Sequence, residues 1–325
     1  MKIALSYRVD LYPFSDVELS AKQLGRLPSV PVESYARCVH YELEKLGHTV
    51  DNVYKSISAD NGEQDIQYWN ASEYDIYIEL DNGRDGQGNL GFGHLSASSF
   101  QLTIPTAVWF VDSHGHPDLH KALAPSYKHV FFAVWDKRDL FTGHPSAHWC
   151  PNATDPRFFY PVNVGLPAYD FGFFGSKTGL DRADKMVDIC KAHGWTYDVR
   201  QIGGGPFKHK WPRTCEAMNN CQTLFNHGQK HDAPNLRVLE SMAVGRPLIS
   251  DQEDRSGMDL LFVPGKHYLP YESYTQIGLE AQMEWAMAEE NRLALELMAH
   301  MASEVVMEKH LIKHRVEQML EVFSR

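Results

Sequence analysis

One stretch concentrates groups able to hold an anionic, hydroxyl-bearing ligand: His231-Asp232-Ala233-Pro234-Asn235-Leu236-Arg237-Val238-Leu239-Glu240-Ser241-Met242-Ala243-Val244-Gly245-Arg246-Pro247. Pro234 suits the opening of a helix, where its missing N–H costs nothing. Leu236, Leu239 and Ala243 then share one face, and Glu240 sits at its edge. Asp232 falls in the loop before the helix, eight residues ahead of Glu240. Two such carboxylates would reach one ligand from two points, and the helix N-terminus favours a phosphate. A solvated carboxylate pair on an ordinary amphipathic helix fits the same spacing, and the spacing leaves both readings open.

Two further groupings surround this one. Asp170-Phe171-Gly172-Phe173-Phe174-Gly175-Ser176 is an apolar strand emptying into small residues, followed by the cations Lys177 and Arg182. Glycine permits close backbone approach, and bare amides plus a cation cradle phosphate. Val108-Trp109-Phe110-Val111 is a second such strand, opening into Asp112-Ser113-His114-Gly115-His116. Asp112 and His114 therefore stand where cleft residues sit. His114, His116, Asp118 and His120 also read as metal ligands, but metal sites draw sequence-distant ligands from a scaffold and nothing anchors this loop. Surface histidines are the third reading, and no metal is expected. Gly203-Gly204-Gly205 is either a nucleotide-facing loop or a flexible turn, and Glu79 to Gly86 ends a strand in a turn suited to acceptor binding.

The elements that would position these groups alternate strand and helix. Residues 3–7 read as a strand, 32–46 as a helix with Val32, Tyr35, Ala36, Val39, Leu43 and Leu46 at helical spacing, Gly47 as its cap, and His48 as the next strand's start. That is a βαβ unit and implies a parallel sheet. Tyr74–Leu80, Thr106–Val111 and His129–Trp135 continue the pattern. The second half restarts it, with strands at Tyr169–Phe174, 196–202, Thr223–Asn226 and Pro247–Ser250 and helices near 180–193, 212–219 and 235–244. Met283 to Phe323 forms two consecutive helices, either a brace returning to the first domain or a solvated tail.

The expected fold is α/β: two facing Rossmann-like domains, 1–160 and 161–290, with a C-terminal helical segment at 291–325. The segment 151–167 carries Pro151, Pro156, Pro161 and Pro167, which fix φ and interrupt ladders, so it reads as an extended connector. Glu240, Arg237 and Gly175 would face Asp112 or His114 across the cleft, because open α/β sheets bind ligands beyond the carboxyl ends of their strands.

Composition narrows the class. A chain of 325 residues, 43% hydrophobic, is comfortable as two domains. Its net charge of −11 disfavours nucleic acid and membrane surfaces. Five cysteines, an odd number without a CxxC pair, suit reduced thiols in a cytoplasmic protein. No apolar run approaches a membrane span. The absence of a Gly-x-Ser-x-Gly elbow, a Walker A loop and a Gly-x-Gly-x-x-Gly after the first strand argues against a serine hydrolase, a P-loop NTPase and a standard dehydrogenase.

The 232–247 stretch resembles the donor-site signature of retaining GT-B glycosyltransferases, an acidic-x7-Glu motif followed by a small-residue helix and Gly-x-Pro. Asn235-x-Arg237 before Leu239-Glu240 is similar to the CgeB-like group in particular, as is the run from Asp251 to Gly265. Asp170 to Ser176 resembles the opening strand of that family's second domain. Cys150 to Pro161 resembles its interdomain segment, which would make it the hinge. The resemblance covers about residues 150–270 and implies a hexosyltransferase moving sugar from a nucleoside-diphosphate sugar to an acceptor hydroxyl, with retention. Gly175, Ser176, Lys177, Arg182, Asn235, Arg237 and Glu240 would bind the donor nucleotide, Glu240 through the ribose. Asp232, standing where the family has Glu, would act near the donor sugar with Asp112 and His114. No metal or other cofactor is implied, since helix dipoles and cations neutralise the leaving phosphate. The acceptor would be a glycan, a surface component or a small metabolite, with a modified DNA base disfavoured by the acidic charge. The alternatives are a nucleotide-sugar epimerase on the same fold, a catalytically silent nucleotide-sugar-binding protein, and a metal-dependent hydrolase built on the 112–120 histidines.

Overall fold

The computed structural model describes residues 1–6, 35–53, 71–81, 102–111, 113, 115, 117–175, 181–201, 210–228, 234–252, 255–273 and 275–325. They form two compact units. The first contains the described residues among 1–6, 35–151 and 312–325, and the second those among 152–311.

The first unit carries β1 (Lys2–Ser6), α1 (Tyr35–Lys45), β2 (Thr49–Asn52), β3 (Ile76–Asp81), β4 (Thr106–Phe110), α2 (Pro117–Leu123), β5 (His129–Phe132) and β6 (Ala147–Trp149). The strands pair in parallel in the order β2-β1-β3-β4-β5-β6. Sheets of this kind are covered on both faces, so their strands are continuous apolar runs. In β4 all five residues of Thr-Ala-Val-Trp-Phe are buried. Ala36, Val39 and Leu43 turn one face of α1 inward. Gly47 then takes φ 85°, the left-handed conformation that ends the helix and feeds β2.

The second unit carries β7 (Tyr169–Gly175), α3 (Asp184–His193), β8 (Tyr197–Gln201), α4 (Lys210–Asn219), β9 (Cys221–Asn226), α5 (Leu236–Ala243), β10 (Leu248–Gln252), α6 (Met258–Leu261), β11 (Leu269–Glu272), α7 (Leu279–Met287) and α8 (Arg292–Lys309). Its sheet is also parallel, in the order β11-β10-β9-β7-β8. Phe171, Phe173, Phe225, Ile249 and Leu269 supply the sheet side of one core cluster, and Met186, Ile189, Leu279 and Met283 the helix side. Residues 151–168 form neither helix nor ladder strand. Asn219 ties this proline-rich run down: its Nδ2 donates to the Tyr160 carbonyl at 3.1 Å, and its Oδ1 accepts from Val162 N at 2.8 Å.

The last helix, α9 (Ile312–Phe323), belongs to the first unit. Arg315 Nε donates to Pro151 O at 2.7 Å and Gln318 Nε2 to Trp149 O at 2.8 Å. The helix packs against α1.

Some elements differ from the sequence reading. The strand expected over His129–Trp135 stops at Phe132, and Trp135–Phe141 winds into a 3-10 helix. The three-residue β6 was not foreseen, nor was β11, whose Pro270 speaks against a strand. β11 lies at the sheet edge, where a residue without an N–H is tolerated. The C-terminal stretch holds α7, α8 and α9 where two helices were expected, broken at extended Ala288 and at His310.

Candidate functional site

A dense polar arrangement stands at the carboxyl ends of β7, β9 and β10, where α5 begins. Asn235 caps α5: its backbone is extended, at φ −76° and ψ 171°, and its Oδ1 accepts from Val238 N at 3.2 Å. Its Nδ2 donates to Asn226 Oδ1 at 3.1 Å. Asn226 is fully buried at the end of β9. The same Oδ1 accepts from Arg237 Nη1 at 2.7 Å, so the amide must turn its nitrogen toward β10, where it meets Ser250 Oγ at 3.0 Å and Asp251 Oδ1 at 3.2 Å.

Arg237 is the keystone. Its Nε donates to Phe174 O at 2.5 Å, Nη1 also reaches His227 O at 3.5 Å, and the guanidinium lies 4.3 Å from the Phe173 ring centroid. One cation therefore ties the end of β7 to the end of β9, and its stacking on an aromatic face suits guanidinium over ammonium. Gly175 shows why the strand must end in a small residue. A Cβ there would stand 2.7 Å from Phe173 Cε1 and 3.3 Å from Arg237 Nη2. The expectation for Gly175 was close backbone approach to phosphate; the described contacts give it a packing reason.

Asp251 completes the arrangement as a buried carboxylate. It accepts from Gly228 N at 2.9 Å and Ser273 Oγ at 3.1 Å, besides Asn226. His227 Nδ1 lies 2.7 Å from Tyr271 Oη and 3.6 Å from Asp251 Oδ2, and Tyr271 donates to Asn226 O at 3.0 Å. Burial, then the Asp251 charge, push the Tyr271 phenol well above its ordinary range, so it stays neutral. Charge and backbone amides thus converge at three strand ends, an arrangement suited to an anion-bearing ligand.

Of the residues singled out from the sequence, the structure brings together Gly175, Asn235 and Arg237. Glu240 lies one turn further along α5, partly exposed. Burial chiefly raises the Cys215 thiol, and the Glu240 charge adds to that rise. Arg182 lies in the 181–183 turn that leads into α3, partly buried. Asp232, Asp112, His114, Ser176 and Lys177 lie outside the described residues, as do His116 and residues 203–205.

His120, read as one member of a histidine cluster, is fully buried. Its ring stacks on Phe110 at 4.2 Å and Nδ1 meets Ser113 Oγ at 3.1 Å. It serves the core of the first unit. Among the described residues, the grouping of three metal-capable side chains is a different one, His193, Glu280 and Glu284, with His193 Nε2 2.9 Å from Glu280.

Sequence reasoning passed over Asn226, His227, Asp251 and Tyr271. Their signal was available: Phe225-Asn226-His227-Gly228 and Ile249-Ser250-Asp251 are apolar runs broken abruptly by polar residues, the mark of a strand's carboxyl end opening on a ligand.

The whole-chain fold recurs in known enzymes. Sucrose-phosphate synthase from Thermosynechococcus elongatus is 12% identical over 99% of this chain and 98% of its own, with a TM-score of 0.59. HepE from Anabaena, solved in complex with UDP-glucose, is 12% identical over 100% and 99%, with a TM-score of 0.59. A glycosyltransferase from Rickettsia africae is 10% identical over 99% and 97%, with a TM-score of 0.56. At these identities the likeness concerns the fold, the α/β GT-B architecture of two parallel sheets with helices. A comparison with curated proteins finds no match. The family model described as glycosyl transferase-like matches residues 157–321, just over half of the chain, including β7, β9, β10, α5 and the residues they gather. By that match the chain belongs to the glycosyl transferase-like family.

Proposed function

We propose that this protein is a retaining, CgeB-like hexosyltransferase that moves sugar from a nucleoside-diphosphate sugar to an acceptor hydroxyl. The observation that carries the reading is the polar junction at the carboxyl ends of β7, β9 and β10, built on Asn226, Asn235, Arg237 and Asp251. It lies inside the family match, and HepE binds UDP-glucose on the same fold.

In this reading the difficult step is departure of the nucleotide as an oxocarbenium-like sugar forms. The α5 N-terminus, Gly175, Ser176, Lys177 and Arg182 neutralise the diphosphate, and Arg237 holds the strand ends that present it. Glu240 accepts hydrogen bonds from the ribose. Asp232, Asp112 and His114 act at the transferred sugar. No metal or resident cofactor takes part, and the protein works in the cytoplasm. The acceptor is a glycan, a surface component or a small metabolite; a modified DNA base is disfavoured. Among the described residues no helix is long and apolar enough to cross a membrane.

Thermal-shift screening against a panel of nucleotide sugars tests this. A donor at 100 times its Kd adds about 2.7 kcal/mol of stability. Transfer by the best binder is expected to persist in EDTA, and Glu240→Ala to weaken nucleotide binding by about 1–3 kcal/mol with the fold intact. A panel without any stabilising nucleotide, or unchanged affinity in Glu240→Ala, overturns the donor assignment. Donor conversion without acceptor favours the epimerase.

A further inference from the structure

The geometry points to a Zn2+ site between α3 and α7, held by His193, Glu280 and Glu284. The three side chains offer one imidazole nitrogen and two carboxylate oxygens, all within 4.8 Å of one another. His193 Nε2 lies 2.9 Å from Glu280 Oε1 and 3.9 Å from Glu284 Oε1. With bonds of about 2.1 Å, two ligands of a tetrahedral zinc stand about 3.4 Å apart. The two observed separations bracket that value, so small side-chain rotations bring all three ligands to one ion.

Each ligand is presented by a packed element. α3 buries Met186, Ile189 and Cys190 and ends at His193. The His193 ring stacks on Trp195, with centroids 4.3 Å apart and planes 16° from parallel. Trp195 in turn lies against the buried Phe171 ring at 5.5 Å. The core thus orients the imidazole before any ion arrives. α7 buries Leu279, Met283 and Ala286. Glu280 and Glu284 each follow one of these by a single position and stand at the edge of the buried face. Lys185 ties the two helices at another point: its Nζ donates to Thr275 O and Gln276 O, both at 3.3 Å, in the turn that leads into α7.

Electrostatics and donor chemistry then select the ion. Like charges four residues apart on a helix repel. Both carboxylates are more than half exposed and have water to turn into, yet both turn to the same nitrogen. His193 closes α3, whose C-terminal end carries partial negative charge as well. A divalent cation offsets all three, whereas an imidazole carries at most one charge. Imidazole suits Zn2+, while Mg2+ and Ca2+ take oxygen ligands. Three protein ligands leave the fourth tetrahedral position to water. Because α3 runs back from the carboxyl end of β7 to the start of β8, His193 stands at the amino end of the sheet, opposite the junction of Asn235 and Arg237. The ion therefore clamps α3 to α7 and takes no part in sugar transfer.

The test titrates the full chain, free of any affinity tag and stripped of metal, with ZnCl2 in a calorimeter. One Zn2+ is expected to bind per chain and to raise Tm, and EDTA to reverse the rise. His193→Ala is expected to weaken that binding at least about 100-fold, and Glu280→Gln and Glu284→Gln, which keep the side-chain volume, at least about tenfold each. Co2+ in place of Zn2+ is expected to give the visible absorption of a four- or five-coordinate ion, lost in His193→Ala, a signature that a plain ion pair lacks. MgCl2 is expected not to compete. A wild type that binds neither Zn2+ nor Co2+ overturns the inference and leaves an ion pair. Binding that survives all three substitutions overturns it too, since the ion then sits elsewhere. No nucleotide enters the titration, so its failure and the failure of the donor reading are read separately.

Discussion

The two units are built on parallel sheets of the same kind, yet they treat buried charge at their strand ends differently. In the first, Glu79 near the end of β3 is buried and accepts from two phenols, Tyr77 at 2.8 Å and Tyr127 at 2.6 Å. Those phenols come from the core cluster itself. In the second, Asp251 is equally buried and accepts from a backbone amide, an asparagine and a serine that belong to the strand ends and their loops. A guanidinium joins the same network. A carboxylate that accepts from core phenols contributes to packing, whereas one that accepts from loop donors helps to organise a site. Burial of a charge alone therefore does not mark function; the elements that supply its partners do.

The largest expected effect tests the inward half of that contrast. Glu79→Ala removes an acceptor shared by two buried phenols and opens a cavity, costing about 4 kcal/mol of stability. Chemical denaturation would measure it. Nucleotide affinity should not change, and a large loss of affinity in a folded Glu79→Ala protein would erase the distinction. On the outward side, Arg237→Met removes a charge-assisted clamp between β7 and β9, for a loss of about 2 kcal/mol. Here affinity for the nucleotide should fall together with stability. A variant that is destabilised but binds normally would make Arg237 a packing element like Glu79.

A third difference is readable by pH. In the first unit His129 is buried, with Nδ1 2.8 Å from Ser146 Oγ, and Ser146 in turn meets His148 Nε2 at 2.9 Å. Burial first, then Lys128, His148 and His144, lower His129 to about 4. Burial and Arg325 lower His148. Both groups fold neutral, so between pH 6.5 and about 4 the unfolded chain binds more protons and stability falls with pH. From the His129 shift alone the loss at pH 5.5 relative to pH 7.5 is about 1.4 kcal/mol. Thermal unfolding of His129→Gln at the two pH values should show a smaller difference than the wild type. An equal difference would assign the acid sensitivity elsewhere.

What could be read from the sequence divides along physical lines. Buried parallel strands such as Thr106–Phe110 announce themselves because both faces are apolar, and α1 because its inward residues recur at helical spacing. The α5 stretch was legible as a helix, but its cap was not: Pro234 was read as the helix opening, whereas Asn235 caps a helix that begins at Leu236. β6 and β11 were not: one is three partly exposed residues, the other contains proline, and both are held by neighbours distant in sequence. For the same reason Asn226 and Asp251 were not read as site partners. They sit 25 residues apart, and only β9–β10 pairing brings them within 3.2 Å. His120 failed oppositely: its neighbours in sequence suggested a ligand, while stacking on Phe110 makes it core.

The smallest effect isolates the cap. Asn235 does two separable things: Oδ1 accepts Val238 N and completes the first turn of α5, and Nδ2 donates to Asn226 Oδ1. Asn235→Ala loses both and is expected to cost about 1 kcal/mol, the ordinary value of an N-cap. Asn235→Asp keeps the cap and places a favourable negative charge at the helix N-terminus, but it turns a second acceptor toward Asn226. Arg237 already satisfies that Asn226 oxygen, so the aspartate variant should recover most of the stability. It should not recover nucleotide affinity, because a carboxylate at the mouth of α5 repels a diphosphate. If both variants bind nucleotide as the wild type does, the α5 N-terminus is merely a well-capped helix, and the contrast between the two units must rest on Arg237 and Asp251 alone.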